Sequence, residues 1–206
     1  MKIKITTMMI LAAWWIMPAV SSQEMTARDC INRASSNLKS KNYKEAVSLL
    51  DMAITEINKL LVEQIRLALP EQVKDFTAHA TEDETSGTEA LSIFGRGISV
   101  ERTYYKDSDA GRNYFTISVV GNSPLLSSVN MMLSNSMYMA GSGNSMITIN
   151  SRKAMFLDEG RGRYKLQMPL SGSLISVEGY GFESGELFLD IVNDIGFAQI
   201  TNVLEE

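Results

Sequence analysis

The chain has 206 residues, 45% hydrophobic and 21% charged, the proportions of a folded globular protein, so disorder throughout is excluded. Its formal net charge is −5, which makes nucleic acid and anionic membrane surfaces poor partners. One cysteine and one histidine exclude an internal disulfide and leave too few of the usual ligands for zinc.

Residues 1–22 read as a separate unit. Lys2 and Lys4 precede an apolar run from Ile5 to Val20, broken near its end by Pro18, with Ala19, Ser21 and Ser22 as small residues behind it. Positive charge, apolar run and small residues in that order are the pattern of a secretory signal peptide. Sixteen residues fall short of the ~20 that cross a bilayer core. Cleavage is expected after Ser21 or Ser22, delivering the chain to the periplasm or the exterior without a membrane span. A retained anchor is the competing reading. Loss of the two lysines leaves 17 basic against 24 acidic residues, a formal charge of −7.

Residues 23–70 are expected to form a helical hairpin. Thr26 caps a first helix that runs to about Lys39, Ser40–Asn42 is a polar break, and a second helix runs from Tyr43 to Leu69 before Pro70 stops it. Ala46, Leu49, Leu50, Ala53, Ile54, Ile57, Leu60, Leu61 and Ile65 recur at helical spacing and predict one apolar stripe. Cys30 is either a buried small apolar residue or a thiol for an intermolecular bond. Ala34, Ala46, Leu50 and Ala53, with Tyr43 in the turn, resemble a single tetratricopeptide unit. A solenoid needs at least ~3 such units, so the hairpin is expected to be an appendage on the domain or a dimerising arm.

Residues 71–97 are acidic and polar around Gly87 and read as a linker or loop. From Ile98 the period changes to two. Strands are expected at 98–105 and 114–120, then a helix led by Pro124 with Leu125, Leu126, Val129, Met132 and Leu133 on one side. Four short strands at 146–150, 153–158, 164–168 and 174–180 predict an antiparallel meander. Ser184 caps a further helix, Gly196 interrupts it, and the tail forms another short helix. The fold class is therefore α+β: the hairpin, then about six antiparallel strands with covering helices over 98–206.

The stretches Phe94–Arg102 and Ser123–Leu126 resemble an "FGxGxSVxR" strand start and an "SPLL" helix start. These occur together in a group of exported bacterial proteins of unassigned function, and the arrangement is similar to the Mog1/PsbP-type α+β domain. The resemblance implies the fold over roughly 70–204 and brings no catalytic residue.

The chemistry on offer is sparse. Residues 130–146 contain five methionines, Met131, Met132, Met137, Met139 and Met146. Thioether sulfur suits Cu(I), but methionine also fills irregular gaps and makes adaptable apolar contacts. Met131, Met137, Tyr138 and Met139 are expected to form part of a contact surface for a protein or apolar ligand. Arg161 and Arg163, with Lys165, form a small basic edge that receives an acidic group or keeps an edge strand from pairing. "DSDAGRN" at 107–113 lacks the spacing of a calcium loop. His79 has no nucleophile-elbow sequence to serve. No cofactor and no metal is called for. The sequence points to a non-catalytic exported binding or accessory protein of the cell envelope, with a homodimer through the hairpin as one arrangement. A carboxylate-based hydrolase and a Met-rich copper carrier are the alternatives.

Overall fold

The computed structural model describes residues 26–79, 97–106, 112–121, 125–134 and 144–205. Two helices, α1 (Ala27–Lys39) and α2 (Tyr43–Ala68), come first. Thr26 caps α1 by accepting from the Asp29 amide. The chain leaves α1 through Lys41 at φ 59°, and the Asn42 amide donates to the Asn37 carbonyl at 2.8 Å. That bond closes the helix end in the usual left-handed manner, with lysine where glycine is commoner.

Eight strands follow: β1 (Gln72–Val73), β2 (Phe76–His79), β3 (Ser99–Lys106), β4 (Tyr114–Gly121), β5 (Asn144–Ile149), β6 (Arg152–Gly160), β7 (Arg163–Pro169) and β8 (Ser173–Tyr180). They form one sheet in the order β1-β2-β3-β4-β8-β7-β6-β5, with every neighbouring pair antiparallel. Helix α3 (Leu125–Ser134) lies between β4 and β5 in the chain, and α4 (Gly185–Asn193) and α5 (Phe197–Glu205) close it.

The α+β class stands, but the sheet has eight strands instead of six. The two additional strands lie in 72–79, where a linker was expected. Their turn is Lys74–Asp75, with Lys74 at φ 53°. A two-residue hairpin with a positive φ ordinarily advertises itself by glycine or asparagine, and a lysine there conceals it. Residues 80–96, the rest of the expected linker, lie outside the described residues.

Alternation decides the two faces of the sheet. Tyr104, Phe115, Ile117, Leu166 and Val177 are fully buried on one face, against Val62, Ile65 and Leu69 of α2, Phe188, Ile191 and Val192 of α4, and Phe197 and Ile200 of α5. On the other face, Val129 of α3 packs with Met155 and Leu174 in a smaller cluster. Met132 and Leu133 join that cluster, whereas Leu125 is exposed. The α3 stripe is thus only partly spent on packing.

The hairpin is not a simple appendage. The last two turns of α2 belong to the main core, and β3 holds that end of the helix. Tyr104 donates its hydroxyl to the Pro70 carbonyl at 2.8 Å, and Arg102 donates to the Leu69 carbonyl at 3.0 Å while pairing with Glu71. The carbonyl at the helix C-cap is thereby satisfied, and a cation sits at the negative end of the helix dipole.

Candidate functional site

Beyond its core-bound end, α2 runs alongside α1 as an arm. At ~1.5 Å per residue, its 26 residues span about 39 Å. The seam between the two helices is narrow and made of small residues: Cys30 and Ala34 from α1, and Ala46, Leu49 and Ala53 from α2, are all buried. Cys30 is fully enclosed, so of its two expected roles the structure shows the buried one.

The predicted single stripe of α2 is in fact divided. Ala46, Leu49 and Ala53 are consumed by α1, but Val47, Leu50, Ile57 and Leu60 remain exposed. Ile31 and Leu38 of α1 are exposed as well. Scattered exposed apolar residues mean little; a contiguous set on one element marks a contact surface.

A second feature is an open cleft of about 370 Å³ at one end of the sheet, lined by Lys74, Asp75, Lys106, Asn113, Glu183 and Asp190 among others. Its charges pair by opposite sign. Lys74 Nζ lies 2.5 Å from Asp190 on α4 and 3.4 Å from Asp194, the residue that caps the end of that helix. Lys106 Nζ lies 2.5 Å from Asp75. The hydrogen bond from Lys106, against a smaller opposing effect of burial, holds the Asp75 carboxyl below its ordinary range. The hydrogen bond to Asp190, opposed by burial and aided by Asp194, raises Lys74. A general acid needs a carboxyl raised toward neutrality, and Asp75 is moved the other way.

The third feature lies on the open part of the second sheet face. Tyr105, Tyr114 and Tyr180 stand side by side on β3, β4 and β8, with ring centroids 5.5 and 4.7 Å apart. His79 meets Tyr105 edge-on at 5.1 Å, and the Arg163 guanidinium lies 5.1 Å from the Tyr180 ring centroid. The ring faces are spent on one another, which stabilises the strand pairs. Beside them Lys165 binds Glu178, which also accepts from the Tyr180 hydroxyl at 3.1 Å. Burial alone would raise Glu178; the hydrogen bond and charge of Lys165 outweigh it, and the carboxyl lies below its ordinary range.

Of the expected contact residues, Met131, Arg161 and Arg163 lie among the described residues, and they sit apart. Arg161 sits at φ 57° in the turn between β6 and β7. Arg163 opens β7, where it pairs with Glu159 at 3.2 Å. Neither these arginines nor Lys165 guards an edge strand, because β7 is paired on both sides by β6 and β8. The charges of Arg163 and Lys165 serve pairs with Glu159 and Glu178 on the neighbouring strands instead. Met131 is exposed on α3, near the opposite end of β7. Met137, Tyr138 and Met139, the "DSDAGRN" aspartates and the run Glu82–Glu84 lie outside the described residues. The hairpin, the other contact surface expected from the sequence, is the one whose apolar residues the described structure leaves exposed. Its signal was present in the sequence as an α2 stripe too wide for one partner helix.

No protein-family model, no curated protein and no solved structure matches this chain. Among the described residues, no group of three or more histidine, cysteine or carboxylate side chains is placed to hold a metal ion. No single described helix is long and apolar enough to cross a membrane.

Proposed function

We propose that this chain is an exported, non-catalytic binding or accessory protein of the cell envelope, which acts through its helical arm. The observation that carries the reading is the arm itself: a 26-residue helix anchored at one end in the core, with Val47, Leu50, Ile57 and Leu60 exposed along the rest. Exposing that much apolar surface in water is unfavourable unless something covers it. The leader-like residues 1–22 support export. The partner is a protein or an apolar ligand. Asp75 and Asp190 of the cleft face lysines, which favours a structural use of those charges over hydrolysis.

Two measurements test the reading. The mature N-terminus should begin near Gln23 in protein recovered from the periplasm or the medium. Photo-crosslinking residues at Val47 and Leu60 should give discrete protein adducts in the intact envelope, and the same group at Glu101 on the sheet should not. A chain retained with its leader in the cytoplasm, or equal labelling from all three positions, would refute the proposal.

A further inference from the structure

Four exposed apolar residues of α2 and two partly buried ones, Ile54 and Leu61, follow a stricter rule than exposure alone requires, whereas Met52 and Leu60 are exposed off it. Along α2, Tyr43, Val47, Leu50, Ile54, Ile57 and Leu61 alternate in steps of four and three, which is the seven-residue repeat of a coiled-coil seam. Ile31 and Leu38 on α1 are one such repeat apart. At about 100° per residue, each set lies roughly a quarter turn from the α1–α2 seam, in the same rotational sense. Two helices joined by the three-residue Ser40–Asn42 link run antiparallel, so an equal rotation in the same sense brings both sets to one face of the hairpin. Ile31, Leu38, Tyr43, Val47, Leu50 and Ile57 are each 40–60% exposed there.

We infer that this face pairs with the same face of a second copy, making an intermolecular four-helix bundle; the inference rests on the arm being the contact surface. The area is of the right size. Those half-exposed side chains offer roughly 600 Å² per hairpin, most of the ~800 Å² per partner in a standard interface. The seam contains no charged residue, and its outer border carries both signs, Arg28 and Lys44 with Asp51. A mixed border suits a two-fold self-contact better than a partner of one sign. The geometry also selects the orientation. Of the α2 side chains that enter the core, Ile65 lies about 40° from the centre of the exposed stripe and Val62 about 100° from it, both in the same rotational sense. The sheet domain therefore stands beneath the seam like a step. A parallel pairing drives two such steps together; an antiparallel pairing sends them to opposite ends, with each Ser40–Asn42 link toward the partner's domain.

The test uses the full chain, expressed with its own leader, purified, and followed by sedimentation and light scattering through the micromolar range. The wild type is expected to be dimeric. Leu50→Glu and Leu50→Lys should each weaken self-association on the order of 100-fold or more with helical content unchanged, and mixing the two variants should restore a dimer. Leu67→Glu, a change at an exposed residue of the same helix off the stripe, should leave the dimer intact. A wild type that is monomeric throughout the range overturns the inference. So does a dimer that survives Leu50→Glu, or one lost equally with Leu67→Glu. Failure to restore association on mixing also overturns it. A monomer whose arm still cross-links to another envelope protein would end self-pairing and leave the contact role standing; absence of export would do the reverse.

Discussion

Lys106 reaching Asp75 at 2.5 Å, and Lys165 reaching Glu178 across β7 and β8, set how the protein responds to acid. Both carboxyls lie below their ordinary range in the fold. Their contribution to stability is therefore present above an unfolded carboxyl's pKa of about 4 and is lost as pH falls through the depressed folded values. On the alkaline side, Lys74 is raised chiefly by Asp190, and Tyr180 is raised by burial and by Glu178. Their contribution is complete below roughly pH 10 and is lost as pH climbs through the raised values. Thermal melts should show a plateau between about pH 5 and 9 with a fall on either side. A slope through the middle of that range would contradict the pairing described here. Two glycines at nearly the same φ offer a second test at this scale. Gly181, at φ 80°, has no room: an added Cβ would meet the Arg112 carbonyl oxygen at 2.2 Å and Asn113 Oδ1 at 2.5 Å. Gly172, at φ 81°, opens onto empty space. Alanine at Gly172 should cost about 1 kcal/mol, the left-handed backbone penalty, and at Gly181 at least about 2 kcal/mol more. Equal losses in denaturant titrations would show that backbone conformation alone governs both sites.

At the scale of the element, α2 has two duties that its sequence writes in one hand. Ile65 is fully buried among the sheet and α5, whereas Leu67, two residues on, is 77% exposed. Ile65→Ala should cost about 2–5 kcal/mol of unfolding free energy as a core cavity, and Leu67→Ala should stay within about 0.5 kcal/mol. A large loss at Leu67 would mean that the monomer covers this side of the helix. The same contrast explains why the stripe was read as one surface. Helical spacing reports which residues share a side of a helix, but not whether the neighbour is α1, the sheet or nothing. The β1–β2 hairpin was missed for a related reason. Val73 and Phe76 are buried, yet a two-residue strand is too short to show a period, and Lys74 disguises the turn. By contrast, Thr26, Ser184 and Gly196 marked their helix ends correctly, because capping is a local interaction between residues close in the chain.

For the whole molecule, the boundary between arm and domain falls inside α2 instead of after Pro70. Removing residues 26–69 would strip Val62, Ile65 and Leu69 from the core, along with the Leu69 carbonyl that receives Arg102. That deletion should yield a chain without a cooperative melt. Removing only 26–58 spares these contacts and should give a folded domain that no longer self-associates. Circular dichroism and sedimentation on the two deletions separate the cases, and a folded product from the longer one would place the boundary where the sequence put it. The sequence by itself determined the helix ends, the meander and the α+β class, since each depends on residues a few positions apart or on alternation along one strand. Only the tertiary structure decided that 72–79 extends the sheet, that β7 is interior, and that half of the α2 stripe is left uncovered. Those outcomes depend on which distant segments come to lie against each surface, and burial is settled by the neighbours in space.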